Sequence, residues 1–350
     1  MILEITESNA EECLMFIFIG FSSWMMLPIR ANANVIINEN DPSDARELLA
    51  YYNLEQYPET HLFYGPQFTE IYSGADKDEP FVNDKKNYER DDEKGEYVII
   101  NDWEGTKQNY NHEHASILPR MWSTEHADNY MMFTGFADFK VNPKLKNNAF
   151  NEAYNVFMEG ALKQGLSESE ADLYATEQAN AYASQEKQRI DKIVNDHRIR
   201  IRKGEVDYET HDKFLRRYGQ QYLVVEQPSF ADNIAYMIQY QFGYMYWRYF
   251  MWNFTGRQND IQGRYDDFNG NWISGIKFID ELHLGISQDN LPTEVLENKA
   301  RNTYYFLPLI LGLIGFFFLL YSDAKRFWVL LVFFLMTGLA IQFYTNIRPF

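Results

Sequence analysis

Residues 246–263 read YWRYFMWNFTGRQNDIQG, and Tyr, Trp and Phe dominate the first nine positions. The chemistry changes at Thr255, where a run of polar residues begins. The aromatic run starts earlier, because ten of the nineteen residues from Tyr236 to Phe254 are aromatic and Arg248 is the only charge among them. Three structures fit this pattern: a buried core helix, a helix at the membrane surface, or the wall of a site for a polar ligand.

Three uncharged apolar stretches predict membrane-spanning helices at residues 13–29, 303–321 and 327–345. The last two are each 19 residues long, about the length that crosses a hydrocarbon core, whereas the first has 17. A signal peptide is the alternative for residues 13–29. The residues before this stretch contain four acids and no Lys or Arg, and no small-residue cleavage site follows, so we favour a span.

The turn between the last two predicted spans, SDAKR, contains Lys325 and Arg326. Because Lys and Arg accumulate in cytoplasmic loops, this turn is predicted to be cytoplasmic and residues 30–302 extracytoplasmic. The net charge of −18 argues against a nucleic-acid partner, since binding to backbone phosphates requires clustered Lys and Arg.

Residues 34–228 predict an extracytoplasmic α/β domain. Asp41 is a predicted helix cap with Pro42 at the first helical position, and the acidic residues 74–96 predict a solvated loop. Strands are predicted at HLFYG (61–65), EYVIIND (96–102), KQNYNHEHA (107–115) and QYLVVEQP (221–228), with WEGT joining the second and third.

A helical hairpin is predicted at about 147–195, inside this domain. Ser167 and Glu170 have the spacing of a capping box, and Gly165 separates the second helix from an earlier one near 148–163. Small and aromatic residues follow at helical spacing: Ala171, Tyr174, Ala175, Ala179 and Tyr182.

Residues 229–302 predict an interfacial aromatic helix followed by a polar loop. Ser229 can cap a helix that begins at Phe230. Tyr and Trp concentrate at the membrane–water boundary, whereas a core helix would contain more Leu, Ile and Val and a full span fewer Tyr and Gln. We therefore favour a helix in the interface, or entering it at a slant. Its predicted apolar stripe comprises Phe230, Ile234, Met237, Ile238, Phe242, Met245 and Trp252.

The polar end of this helix is the candidate binding site. Gly256 stands where a helix ends, and Arg257 can bind a lipid phosphate with two parallel hydrogen bonds. Amides that follow can bind sugar hydroxyls. The alternative is a helix stop and a hydrogen-bonded turn, with Arg257 paired to Asp260. The candidate substrate-binding residues are Arg248, Asn253, Arg257, Gln258, Asn259 and Asp260.

No metal or cofactor is predicted. His112 and His114 lie two apart on a predicted strand and so face one side, but no third ligand is evident. The stretch RYDDFNGNW (264–272) echoes part of a calcium loop, lacks its bidentate Glu, and is predicted to be a turn. No phosphate-binding or dinucleotide-binding motif is present, and the single Cys13 excludes a disulfide within the chain.

Four stretches together resemble the middle part of a family of large bacterial multi-pass membrane proteins, long labelled a domain of unknown function. They are residues 20–65, SILPRMWS (116–123), 228–263 and 270–285. That family is similar to the GT-C class of protein O-mannosyltransferases, which take a sugar from a polyprenyl-phosphate carrier. The resemblance covers roughly residues 14–140 and 220–350, is weakest over 147–215, and is most specific at 246–263.

The resemblance implies an internal segment of a glycosyltransferase of the bacterial inner membrane, with the two C-terminal spans in residues 303–350 and the first in 1–33. Its partners would be membrane lipid, a polyprenyl-phosphate sugar and an acceptor protein. The family members are longer, and the expected catalytic acid lies upstream of this chain, so the resemblance assigns no catalytic residue here. The alternative is a non-catalytic, membrane-anchored module that binds a partner in the periplasm.

Overall fold

The computed structural model describes residues 7–33, 35–37, 40–53, 61–76, 78–83, 86, 88–91, 93–100 and 106–349. Helices dominate these residues, and each sheet that they form has only two strands. The chain divides into two compact units, Met1–Glu59 with Asn83–Lys107 and Thr60–Val82 with Gln108–Phe350. The structure is therefore richer in helix than the α/β domain predicted from the sequence.

The first unit contains helix α1 (Glu7–Ala31), helix α2 (Ala45–Tyr52) and an antiparallel hairpin of strands β3 (Tyr88–Asp91) and β4 (Glu96–Ile99). The ring of Trp24 in α1 stacks on that of Tyr52 in α2, with centroids 5.0 Å apart. This contact fixes the two helices against each other.

The predicted cap of α2 is wrong by one turn. Asp44 rather than Asp41 is the N-cap, since its carboxylate accepts the backbone N–H groups of Arg46 and Glu47 at 2.7 and 2.8 Å. The Glu47 carboxylate in turn accepts the Asp44 N–H, which completes a capping box.

The prediction of a loop at residues 74–96 is also wrong. This segment contains strands β2 (Phe81–Asn83) and β3, and β3 pairs with the apolar run that begins at Glu96. A tight turn explains the hairpin, because Asp91 accepts the N–H groups of Glu93 and Lys94 and Gly95 takes a φ of +68°. Residues 103–105 of the predicted WEGT connection lie outside the described residues.

The second unit combines antiparallel strand pairs with several helices. Strand β1 (Tyr64–Pro66) pairs with β6 (Ala115–Ile117), and β7 (Phe139–Val141) pairs with β8 (Leu223–Val225). Strand β5 (Thr106–Gln108) lies where the chain passes between the units. The core includes Phe68, Met121, Tyr130, Ile190, Leu215 and Tyr236, drawn from the connecting segments and from helices α3 (Ala127–Thr134), α5 (Glu168–Arg202), α6 (Tyr208–Tyr222) and α7 (Phe230–Tyr236).

The two histidines of the predicted strand at 107–115 do not face one side. They lie in a short 3₁₀ helix, His112–His114, in which His114 is buried with Nδ1 3.0 Å from the Thr69 hydroxyl and His112 is exposed. Within the described ranges, no group of three His, Cys, Asp or Glu side chains is placed to hold a metal ion.

Helices α4 (Leu145–Lys163) and α5 form a hairpin that is longer than predicted at both ends. Ser167 and Glu170 make the capping box that the sequence predicts, and Gly165 has a φ of +86° in the turn. Ala171, Ala175, Ala179 and Ala183 form a fully buried stripe on α5. Their small side chains let α4 approach closely, which explains why a helix of low hydrophobicity packs here.

The aromatic helix, Phe230–Phe254, is continuous but changes its winding. It comprises α7, an eleven-residue π-helix (Met237–Trp247) and α8 (Arg248–Phe254). Its N-cap is Ser229, as predicted, with the hydroxyl accepting the Asp232 N–H.

The predicted apolar stripe is not the buried face of this helix. Phe230 and Ile238 are exposed, whereas Asn233, Tyr236, Tyr240, Gln241 and Tyr244 are buried. The three tyrosines stack in sequence, with centroids 5.3 and 5.7 Å apart. One face of the helix therefore belongs to the core of the second unit, while Trp247 and Tyr249 lie on the exposed face.

The C-terminal region is a hairpin of apolar helices. Helix α11 (Leu307–Ser322) is followed by α12 (Ala324–Leu335), which continues through a π-helical turn (Met336–Ala340) into α13 (Ile341–Thr345). By length and composition, Leu14–Ala31 and Ala324–Thr345 are each sufficient to cross a membrane, while α11 has 16 residues. The predicted spans at 13–29 and 327–345 correspond to these two helices.

Both ends of this apolar hairpin are hydrogen-bonded to other parts of the second unit. The Tyr304 N–H donates to the Thr255 carbonyl, and the Asn346 amide donates to the Pro119 carbonyl, both at 2.8 Å. The turn at Asp323, which contains the basic pair of the sequence, therefore lies at the opposite end of the hairpin.

Labelling of single cysteines tests the predicted topology. In a Cys13→Ser chain, Phe278→Cys introduces a thiol at a side chain that is 74% exposed. If residues 30–302 are extracytoplasmic, a membrane-impermeant maleimide labels position 278 in intact bacterial cells. A matched Ala324→Cys chain is labelled only after permeabilisation. If position 278 is labelled only after permeabilisation, the predicted topology is wrong.

Two buried histidines join the hairpin to α6. His211 Nε2 lies 3.0 Å from the Ala137 carbonyl, and His211 Nδ1 lies 3.0 Å from His197 Nε2. His197 also stacks on Phe214 with centroids 3.7 Å apart. Burial lowers the pKa of His197 to about 4, and burial also lowers the pKa of His211. The folded chain therefore holds both imidazoles neutral.

Acid is expected to weaken this packing. Because the folded-state pKa of His197 is below the ordinary value of 6.5, the unfolded chain binds more protons between pH 6.5 and about 4. The free energy of unfolding should fall over that window, by roughly 1–3 kcal/mol from this pair. Thermal unfolding in detergent measures it, and His197→Gln, whose amide can still donate to His211, should show a shallower dependence. Identical pH profiles for the two chains would contradict the assignment.

Candidate functional site

The aromatic helix ends where three backbone segments meet. Phe254 is the last helical residue, and the Thr255 N–H donates to the Met251 carbonyl at 2.8 Å. Gly256 follows with a φ of +139°. A Cβ at this position would lie 2.4 Å from the Asn302 carbonyl oxygen and 2.6 Å from that of Ile273, so the junction requires glycine.

A short strand pair places the end of the aromatic helix beside the start of an apolar helix. Strand β9 (Gly256–Arg257) pairs antiparallel with β10 (Asn302–Thr303). The Arg257 N–H also donates to Asn302 Oδ1 at 3.0 Å. Since α11 begins at Leu307, Arg257 lies at the level where the chain enters the apolar hairpin.

Buried amide side chains close the polar loop that follows. Gln258 Nε2 donates to the Asp267 carbonyl at 3.1 Å, and its Oε1 accepts from the backbone and side-chain nitrogens of Asn271 at 3.2 Å. Asn259 Oδ1 accepts the Gly270 N–H at 2.9 Å. These three amides are at most 7% exposed, so they build the loop rather than line an open surface.

Carboxylates organise two further turns of the loop. Asp266 accepts the N–H groups of Arg264, Phe268 and Asn269, which makes 264–272 a turn, as predicted. Burial raises the pKa of Asp266, but these hydrogen bonds outweigh it and hold the pKa below its ordinary value. In helix α9 (Lys277–Leu284), the buried Asp280 accepts from the N–H and hydroxyl of Ser274 and from the Gly275 N–H.

Arg248 turns toward this loop. Its Nη1 donates to the Gly270 carbonyl at 2.8 Å and its Nε to the Tyr244 carbonyl at 3.1 Å. Its guanidinium also lies 3.9 Å from the Tyr244 ring centroid and 4.7 Å from that of Trp252. These contacts give Arg248 a structural role in this geometry, holding the loop against the helix.

Arg257 is placed differently. Its guanidinium carbon lies 5.9 Å from the Trp252 ring centroid. The Nε of Arg257 and the Nε1 of Trp252 are buried and have no hydrogen-bond partner among the described residues. Those residues also place no carboxylate within ion-pair distance of Arg257, so the predicted pair with Asp260 is not formed. Arg257 and Trp252 therefore each keep one buried N–H group without an acceptor among the described residues.

The two remaining candidate residues are exposed. Asn253 donates from Nδ2 to the Tyr249 carbonyl at 2.8 Å, one turn earlier in α8. Asp260 lies 3.5 Å from the Asn298 amide nitrogen. The six candidates thus lie at one helix end but differ in their contacts: Arg248, Gln258 and Asn259 hold the loop, whereas the buried Nε of Arg257 has no partner among the described residues.

Sequence reasoning did not find Asn271, Asp280 or Asn302. Asn271 and Asn302 bind Gln258 and Arg257, just after the helix end, from 13 and 45 positions further along the chain, whereas Asp280 binds the nearby Ser274 and Gly275. The spacing of residues within a short segment of sequence does not predict contacts between distant segments. Arg301, next to Asn302, was also missed, and its Nη1 is a further buried donor with no partner among the described residues.

Comparison with known proteins places the chain in a family. Residues 58–238 match a family model described as a family of unknown function (DUF8416). This match covers more than half of the 350 residues, so the chain belongs to that family. No curated protein and no solved structure matches the chain. The match runs through the α4–α5 hairpin, and it carries no assigned activity.

Two glycine substitutions test whether the junction at the helix end determines stability. Gly256→Ala should lower the melting temperature markedly, because the new Cβ would overlap two carbonyl oxygens. The matched control is Gly160→Ala in α4, where nothing lies within 4 Å and alanine should be neutral or stabilise by about 0.5–1 kcal/mol. Thermal unfolding in detergent compares them. Equal melting temperatures for the two variants would show that the junction tolerates a side chain.

Proposed function

We propose that the chain is a segment of a GT-C-like glycosyltransferase of the bacterial inner membrane, similar to protein O-mannosyltransferases. In this proposal, residues 30–302 are extracytoplasmic and contribute contacts to a polyprenyl-phosphate-linked sugar or to the acceptor protein. Two helices of membrane-spanning length and the sequence resemblance around 246–263 support it. The proposal assigns no catalytic residue to this chain.

The observation that carries the proposal is the position of Arg257. It pairs with Asn302, five residues before the apolar helix α11, and its buried Nε has no partner among the described residues. A guanidinium at this level would meet the phosphate of a lipid whose tail lies beside the apolar helices. The phosphate would supply the acceptor that the folded chain does not.

Contacts of the aromatic helix also support a position of Arg257 at the level of the lipid phosphates. Its Phe250 ring packs edge-on against Phe334 at 6.1 Å, within a helix of membrane-spanning length. Tyr246 lies against Gly338 of the same helix, where a Cβ would come within 2.6 Å of the tyrosine ring. The C-terminal part of the aromatic helix would thus lie at membrane depth, with Arg257 at its headgroup end.

A non-catalytic, membrane-anchored module that binds a periplasmic partner is the second candidate function. The α4–α5 hairpin favours it, because Val156 and Leu173 are 69% and 72% exposed on its surface. Exposed aliphatic side chains on a rigid hairpin are suited to a protein partner. This function would require no lipid phosphate.

Binding of a fluorescent short-chain polyprenyl phosphate to the purified chain in detergent tests the first proposal. Arg257→Ala should weaken binding on the order of tenfold, since a charge-assisted hydrogen bond is lost. Arg257→Lys should recover part of the affinity, because an ammonium group cannot bind bidentately. Arg264→Ala is the matched control, as this exposed arginine lies in the same loop.

The dephosphorylated polyprenol should bind more weakly than the phosphate to the unaltered chain. Two results would refute the proposal: equal affinity for polyprenol and polyprenyl phosphate, or unchanged phosphate binding by Arg257→Ala. A loss of equal size in Arg264→Ala would indicate general electrostatic attraction and would also count against a specific site.

A further inference from the structure

An open cavity of about 710 Å³ lies in the second unit, away from the polar loop in sequence. The segment between β7 and α4, the first turns of α4, the middle of α5 and the junction of α6 with β8 form its walls. The buried Leu145 and Ala149 are among the residues that line it. This volume is in the range of sites that hold small molecules.

One wall of the cavity is fixed by an ion pair. Glu186 of α5 accepts from the Arg189 Nε at 2.8 Å, and hydrogen bonding to Arg189 lowers the pKa of Glu186. The Arg189 guanidinium carbon lies 5.9 Å from the Tyr222 ring centroid. The Glu186 carboxylate is therefore held by Arg189 before any ligand binds.

Other side chains that line the cavity have polar groups that can form hydrogen bonds with a ligand. Asn148 and Glu152 lie one turn apart on α4, and Gln221 lies at the end of α6. None of the three makes a side-chain hydrogen bond with the described residues. Tyr182, one turn before Glu186 on α5, is 47% exposed. The cavity thus combines an exposed aromatic ring with amide and carboxylate groups.

We propose that this cavity binds a short carbohydrate. Sugar rings present C–H faces that pack on aromatic rings, and adjacent hydroxyls that amides and carboxylates bind as both donors and acceptors. Tyr182 supplies the ring, while Glu152, Asn148 and Gln221 supply the hydrogen-bonding groups.

Charge and polarity disfavour other ligand classes. Lys144 is the only cation among the lining residues, and Glu186 is already paired with Arg189, so an anionic ligand would meet the Glu152 carboxylate as well as Lys144. A purely apolar ligand would leave the amides and carboxylates without partners. The proposal does not rest on the lipid-phosphate site at Arg257, because neither the residues nor the ligand groups are shared.

The test uses the full chain in detergent and saturation-transfer NMR with mannotriose, cellotriose and N-acetylchitotriose. At least one trisaccharide should bind with millimolar or better affinity. Tyr182→Ala should weaken that binding about tenfold, since the ring contact is lost. Glu152→Gln should weaken it less, because the amide retains one acceptor oxygen.

Matched controls lie on the same two helices. Tyr174→Ala removes a tyrosine of α5 that is 45% exposed and does not line the cavity, and Glu159→Gln alters an exposed acid of α4 outside it. Both should bind as the unaltered chain does. Circular dichroism verifies that all four variants fold.

The absence of saturation transfer for all three sugars overturns the proposal, as does unchanged binding in Tyr182→Ala. If a lysine-containing tripeptide binds and the sugars do not, and if Glu152→Gln abolishes the binding of the tripeptide, the cavity is a peptide site. Arg257→Ala should leave trisaccharide binding intact, so this proposal and the lipid-phosphate proposal can fail separately.

Discussion

A buried tyrosine needs a hydrogen-bond partner for its hydroxyl, and this requirement organises the second unit around the aromatic helix. The Tyr236 hydroxyl donates to the Ile347 carbonyl at 3.1 Å, which brings the C-terminal segment to the helix. The Tyr244 hydroxyl accepts the Tyr265 N–H at 3.0 Å, which brings in the polar loop. Buried amides extend the same principle, since Asn233 accepts the N–H groups of Arg120 and Met121. The helix is thus the element to which distant parts of the unit attach.

The same constraint explains what the sequence could and could not predict. Signals that act within one turn were readable: the capping box of Ser167 and Glu170, the break at Gly165 and the glycine that ends the aromatic helix. The buried face of that helix was not readable from hydrophobicity, because its members are tyrosines and amides whose polar groups are satisfied by residues far away in sequence. A rule that counts Leu, Ile and Val as core overlooks tyrosines at four-residue spacing. Their spacing at 236, 240 and 244 was the available signal.

Arg248 and Arg257 show why residue type alone does not assign a binding role. Both follow aromatic residues, and both approach the Trp252 ring. Arg248 donates from Nε and Nη1 to carbonyl groups that the helix and the loop provide. Arg257 lies in the strand pair β9–β10, and its Nε has no acceptor among the described residues. The distribution of acceptors, which depends on the tertiary structure, separates a structural arginine from a candidate ligand-binding one.

The extent of the family match bears on where a shared function resides. Residues 58–238 contain the α4–α5 hairpin, the junction of α6 with β8 and every residue that lines the carbohydrate cavity. They contain only the first turns of the aromatic helix, and Arg257 lies beyond them. The matched part is built from helices with buried alanines and contains the Glu186–Arg189 ion pair. If the cavity binds sugar and Arg257 binds a lipid phosphate, the first site lies within the part of the chain that the family model matches and the second in the segment that joins this part to the apolar helices.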